Sequence, residues 1–220
     1  MEMPDFHRRV LSVALEVCDE HHLVLAGGYA MRAHGLVDRP SQDLDFATFD
    51  APSIPLATQA MAEAFRRHGF TVEEVRGTPL LGRLIVADPV TELTCAVDLM
   101  KEPLQKEPVR RHDLPVASLD DMVGMKVAAL HGRSVARDLI DVASVRELYS
   151  FGQLERLGSL FEDRFSLVHL VERLETATYL DDQIFSQYDL SDDHITEIRQ
   201  FALDWYKDLS LRLAGDEVVD

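Results

Sequence analysis

His22-Leu23-Val24-Leu25-Ala26-Gly27-Gly28 and, after fourteen intervening residues, Asp43-Leu44-Asp45-Phe46 are the stretches on which the reading of this chain turns. The first is a short apolar run closed by two glycines. It reads as a buried strand ending in a sharp turn. Tyr29 to His34 then fits a short helix, with Gly35 as its stop. The second stretch, continued to Phe49, alternates as a strand. A strand has a period of two, so Asp43 and Asp45 share a face, roughly 6–7 Å apart at Cα. Two carboxylates that close repel each other unless a cation lies between them. Hard oxygen ligands on a rigid strand suit Mg²⁺ or Mn²⁺. Asp-x-Asp alone also describes a solvated strand face. The order strand, Gly-Gly turn, helix, strand is what favours a metal site.

Outward from this centre, residues 6–20 carry Val10, Leu11, Ala14, Leu15, Val17 and Cys18 at helical spacing, an amphipathic helix. Pro52-Ser53 opens a second helix that runs to about His68, where Gly69 ends it. Phe70–Val75, Arg83–Ala87 and Leu93–Asp98 read as strands, the last two joined by a turn at Asp88-Pro89-Val90-Thr91. Asp98 ends the apolar run Leu93-Thr94-Cys95-Ala96-Val97. If its strand lies beside the one bearing Asp43 and Asp45, three carboxylates converge. That is the arrangement for in-line displacement at phosphorus, with two metal ions activating a hydroxyl and holding a leaving pyrophosphate. The glycine turn would let backbone amides approach phosphates, and the following helix would offer its positive end.

Residues 101–115 hold three prolines and the cations Lys101, Lys106, Arg110 and Arg111, and read as a loop or a basic edge strand. With Arg76 and Arg83 on neighbouring strands, they form the best candidate path for a phosphate backbone. Ser118 caps the next helix, with Asp121 at the capping-box offset and Gly132 as its stop. A further helix covers 136–149. From Ser150 the period is helical throughout, broken near Asp181-Asp182 and Ser191-Asp192-Asp193. The domains expected are residues 1–115 as a core and 116–220 as a helical subdomain packed on it.

The 220 residues are 46% hydrophobic, enough for a real core without disulfide staples. Cys18 and Cys95 have no metal-ligand spacing and read as core residues. Met1–Val10 does not look like a signal peptide, and no run approaches the ~18–20 apolar residues of a membrane span. A cytoplasmic location is the expectation. The net charge is −17, and residues from Ser150 onward hold 16 acidic against 6 basic side chains. So acidic a chain should not hold nucleic acid through a broad positive face.

Leu25-Ala26-Gly27-Gly28-Tyr29-Ala30, followed by Arg39-Pro40-Ser41-Gln42-Asp43-Leu44-Asp45-Phe46, resembles the AbiEii/AbiGii abortive-infection toxin nucleotidyltransferases. Those run Gly-Gly-Thr-Ala and then Arg-x-Ser-x-Asp-hydrophobic-Asp. Lys126-Val-Ala-Ala-Leu130, Arg133 and Arg137-Asp138-Leu-Ile-Asp141 resemble a second block of that family. The stretch Ser166 to Asp182 is similar to the helical region of some members. Tyr29 stands where the family has Thr or Ser. The resemblance implies an α/β (α+β) nucleotidyltransferase fold, a mixed sheet flanked by helices, with a helical C-terminal subdomain. It also implies Mg²⁺-dependent transfer of a nucleotide from a nucleoside triphosphate, a toxin role beside a cognate antitoxin, and tRNA as one acceptor.

The expected metal ligands and catalytic residues are Asp43, Asp45 and Asp98. Lys126 lies on a helix face with Met122 and Leu130, an apolar setting in which a phosphate or carboxylate is a natural partner; a snorkelling surface lysine is the plainer alternative. The expected nucleotide-binding set is Gly27, Gly28, Arg39, Ser41, Lys126, Arg137 and Asp141. Asp141 orienting Lys126 and an intrahelical Arg137–Asp141 pair stand as equal readings. The competing functions are transfer to a small cationic molecule such as an aminoglycoside, which an acidic cleft suits, and a non-catalytic nucleotide-binding regulator.

Overall fold

The computed structural model describes residues 3–48, 53–133 and 135–216. The expected helix start at Pro52, the strand end at Phe49 and residue Ser134 lie outside the described residues. The chain divides into two compact units. One is Met1–Gly35 with Pro40–Met122; the other is Leu36–Arg39 with Val123–Asp220.

The first unit is a mixed sheet with helices. Helix α1 (Asp5–Cys18) turns Val10, Leu11, Ala14, Val17 and Cys18 inward. Strand β1 (Leu23–Ala26) is buried along its whole length, which accounts for its unbroken apolar run. Helix α2 (Gly27–Ala33) starts at Gly27 itself rather than after a separate turn, because Gly27 absorbs the reversal at φ +60°. Strand β2 (Asp43–Thr48) buries Leu44 and Phe46 and leaves Asp43 and Asp45 half-exposed. The alternation is as predicted.

Helix α3 (Ile54–Arg67) packs on α1 and on the strands that follow, and Gly69 ends it at φ +83°. Strands β3 (Thr71–Gly77), β4 (Leu81–Ala87) and β5 (Thr94–Lys101) form an antiparallel meander. Asp88 shapes the β4–β5 turn by accepting the Val90 and Thr91 amides at 2.9 and 3.2 Å. Strands β6 (Val109–Arg111) and β7 (Leu114–Val116) form a small hairpin. The sheet order is β3-β4-β5-β2-β1-β7-β6. The β2–β5 and β1–β7 pairs are parallel and the rest antiparallel.

Helix α4 (Leu119–Arg133) begins as predicted at Ser118, whose Oγ accepts the Asp121 amide at 3.1 Å. The Asp121 carboxylate departs from a capping box. It accepts the Gln105 and Lys106 amides at 2.8 and 3.1 Å and so anchors the basic loop. Gly132 does not stop the helix; it lies within it, and its φ is not positive.

In the second unit α5 (Ala136–Ala143) is shorter than the predicted 136–149. Tight turns replace its last part, with Val145 N–H bonded to Val142 and Arg146 N–H to Ala143. Helices α6 (Phe151–Gly158), α7 (Leu167–Thr178), α8 (Asp182–Phe185) and α9 (Asp192–Asp216) follow; the breaks before α8 and α9 fall at the predicted acidic pairs, whereas the break at residues 159–166 interrupts a stretch expected to be helical. Helix α9, about 37 Å long at 1.5 Å per residue, packs on α5 and α7. Trp205 anchors it. Its ring stacks on Phe151 at 5.5 Å, and its indole N–H donates to Glu155 at 2.9 Å. No helix among the described residues is long and apolar enough to cross a membrane.

Candidate active site

The parallel β2–β5 pair sets Asp45 directly beside Asp98. Neighbouring residues of a ladder point to the same face across about 4.8 Å. Asp43 is on that face too, two residues back along β2. The backbone therefore assembles the three carboxylates that the sequence singled out. The antiparallel β4–β5 register adds a cation, because it sets Arg83 opposite Asp98 on the other side. The guanidinium grips Asp98 in a fork, Nε to Oδ1 at 2.6 Å and Nη2 to Oδ2 at 2.5 Å. That hydrogen bond, ahead of the nearby negative charges of Asp98, Asp43 and Asp45, holds Arg83 above its ordinary pKa. Ser41 Oγ donates to Asp43 Oδ1 at 3.2 Å.

Three hard oxygen donors on adjacent strands fit Mg²⁺ or Mn²⁺ in kind and in backbone placement. As the side chains stand, no three His, Cys, Asp or Glu among the described residues form a group that could hold a metal ion. Both Asp98 oxygens lie on Arg83.

Gly27 has a sharper reason to be glycine than its turn. A Cβ there would lie 1.8 Å from Asp45 Oδ2 and 2.5 Å from its carboxyl carbon. The group that approaches this backbone is thus the Asp45 carboxylate, where the sequence suggested a phosphate. Gly28 is the buried second residue of α2. Gly27→Ala is expected to cost about 1–2 kcal/mol for a left-handed non-glycine residue alone. It should also push Asp45 off the face, so a lowered urea midpoint should come with lost transfer. Wild-type activity at lowered stability would show that Asp45 tolerates displacement.

Tyr29, in the position of the family's Thr or Ser, is buried. Its hydroxyl donates to the Ser41 carbonyl at 3.2 Å and lies 2.6 Å from His7 Nδ1. With its single proton on Ser41, the phenol oxygen accepts from a His7 Nδ1–H. Burial, foremost, pushes the phenol up to about 12. Burial also lowers His7 against the opposing pull of Asp43. The hydroxyl braces the segment entering β2.

The remaining predicted residues stand in the second unit. Asp141 on α5 is wholly buried and accepts Arg39 Nε at 2.7 Å, Arg39 Nη2 at 2.6 Å and Lys126 Nζ at 2.8 Å. Burial pushes its carboxyl up, but Lys126 and Arg39 outweigh that and hold it below the usual range. The orientation of Lys126 by Asp141 is therefore present. Tyr188, which the sequence reading missed, lies over the Arg39 guanidinium at 5.9 Å. Arg133 forks onto Asp138 at 2.7 and 2.9 Å. Arg137 is half-buried on α5.

The proposed basic path is not continuous. Lys101 ends β5, whereas Arg110 and Arg111 lie on β6, with β2, β1 and β7 between. Four strand spacings amount to about 19 Å. Arg83 is committed to Asp98, and the Arg76 side chain lies outside what is described. The pairing of Arg83 with Asp98 was within reach of the sequence: a lone cation in the apolar strand 81–87, facing a hairpin turn already recognised.

The structure is similar to JHP933 from Helicobacter pylori, with a TM-score of 0.56 at 19% identity over 97% of this chain and 96% of that one. It is also similar to MenT4, nucleotidyltransferase toxin Rv2826c from Mycobacterium tuberculosis H37Rv, with a TM-score of 0.52 at 18% identity over 90% of each. At these identities the likeness shows the fold. Comparison with curated proteins returned no match. The family profile described as nucleotidyl transferase AbiEii toxin, type IV toxin–antitoxin system, matches residues 9–211. With nearly the whole length matched and the mixed sheet in place, the chain belongs to the AbiEii nucleotidyl transferase toxin family.

Proposed function

We propose that this chain transfers a nucleoside monophosphate from a nucleoside triphosphate to an acceptor, as the toxin of a toxin–antitoxin pair. The observation that carries the reading is the β2–β5 register, which sets Asp45 beside Asp98 with Asp43 on the same face. These three would hold Mg²⁺ or Mn²⁺. When bound, the ion supplies a lowered acceptor-hydroxyl pKa and charge neutralisation at the leaving pyrophosphate. Ser41 orients Asp43, and Gly27 leaves room for Asp45. Within the second unit, Asp141 holds Lys126 and Arg39 in place through ion pairs. The family supplies the antitoxin as the partner to look for.

tRNA is one acceptor to test, because the family resemblance implies it for some members. A small cationic acceptor is the second reading, supported by the net charge of −17 and the broken basic path. Labelled triphosphates offered with total tRNA, with proteins and with aminoglycosides separate these, because label should appear in one pool only. Binding has its own test. Mg²⁺ or Mn²⁺ with the right triphosphate at ~100 times its dissociation constant should stabilise the fold by about 2.7 kcal/mol, a melting rise of roughly 5–10 °C. EDTA should reverse it. No shift with any of the common triphosphates would count against triphosphate binding, and so against the transfer reading and the nucleotide-binding regulator alike.

A further inference from the structure

We infer that Arg83 is the resident counter-ion of the carboxylate face: it competes with the divalent cation for Asp98 and, once displaced, is a positioning residue for the triphosphate. The inference rests on the proposed metal reading. Three observations carry it. First, both Asp98 oxygens are on the guanidinium, at 2.6 and 2.5 Å, so Asp98 cannot offer an ion a full set of lone pairs while the fork is closed. Second, Asp98 is nearly buried but the Arg83 side chain is 46% exposed. The carboxylate is therefore enclosed, and the guanidinium is the partner with solvent beside it to move into. Third, the strand register leaves little freedom in where Arg83 can go. Its Cα is held opposite Asp98 on β4, and Asp98 is beside Asp45 on β2. A guanidinium that swings off Asp98 stays on the rim of the same face. The negative field of Asp43 and Asp45 already acts on it.

A fork of charge-assisted hydrogen bonds is strong enough to matter in such a competition and weak enough to lose it. The double charge of a divalent cation outcompetes a single delocalised one at a cluster of carboxylates. The displaced guanidinium, rigid and always charged, suits phosphate oxygens. Without Arg83 the metal should bind more tightly and the triphosphate more weakly. A role limited to holding β4 against β5 moves neither affinity in this way.

The test uses the whole protein with Mn²⁺ alone, its free concentration read by electron paramagnetic resonance. It then uses inorganic tripolyphosphate at saturating Mn²⁺, read by calorimetry. Arg83→Ala and the more conservative Arg83→Gln should both bind Mn²⁺ about tenfold more tightly than wild type. Both should bind tripolyphosphate several-fold more weakly, and Arg83→Lys should fall between on each. Asp45→Asn is the control that should lose Mn²⁺. An unchanged Mn²⁺ affinity in Arg83→Ala and Arg83→Gln overturns the inference while leaving the metal reading standing. Tighter Mn²⁺ with unchanged tripolyphosphate overturns the positioning role. No saturable Mn²⁺ binding by wild type or by either variant overturns the metal reading and this inference together.

Discussion

Asp45→Asn is expected to reduce nucleotide transfer by about a thousand-fold or more, equivalent to about 4 kcal/mol of transition-state stabilisation, without unfolding the protein. The change is nearly isosteric, so the contact with Gly27 is kept in shape. What is lost is one negative charge between Asp98, its neighbour on β5, and Asp43, two residues back. In metal-free buffer that loss relieves repulsion, and the urea midpoint of the variant should equal or exceed that of wild type. Asp43→Ala should behave alike in transfer. Stability kept and activity lost is the signature of a site whose charges serve chemistry. Full turnover by purified Asp45→Asn, at any Mg²⁺ concentration, would remove the carboxylates from the mechanism.

Asp141→Ala should do the reverse to stability. It strands two buried cations, Arg39 and Lys126, whose charges now meet on one carboxylate. Removing one member of a buried ion group costs about 3–5 kcal/mol, and urea unfolding would read it directly. A triple variant with Arg39→Met, Lys126→Met and Asp141→Leu should recover much of the loss, because the penalty belongs to uncompensated charge. The pH dependence follows from the same contacts. The folded carboxyl is held below its ordinary value, so the unfolded chain takes up the proton first. The stabilisation is complete above the unfolded value of about 4 and is lost as pH falls through the folded one. Asp141→Asn should flatten that acid limb. An unchanged acid limb would mean that other carboxylates govern it, and an undiminished urea midpoint would mean that the cations find other partners.

The carboxylate face could be read locally and was completed at a distance. Asp43 and Asp45 share a face because a strand alternates every two residues, a property of six consecutive side chains. The turn at 88–91 likewise made β4 and β5 a hairpin on local grounds, and that hairpin pairs residue 83 with residue 98. The helix breaks at Gly69 and at the acidic pairs were equally local. Gly132 misled, because a glycine ends a helix only where the backbone turns left-handed, and here it does not. Three matters had no local signal. The first is Asp98 beside Asp45, which needs β5 to pair with β2 in parallel across α3, β3 and β4. The second is the fate of the basic segment. Its hairpin docks through β7 on β1 rather than on β5, so one run of cations is divided by strands far apart in sequence. The third is Arg39, two residues before Ser41 but a member of the helical unit, paired with a carboxylate 102 residues away. Periodicity and turn chemistry act over a few residues and were legible in the sequence. Which strand edge pairs with which, and which buried charge meets its opposite, depend on the packing of the whole chain, and only the tertiary structure decided them.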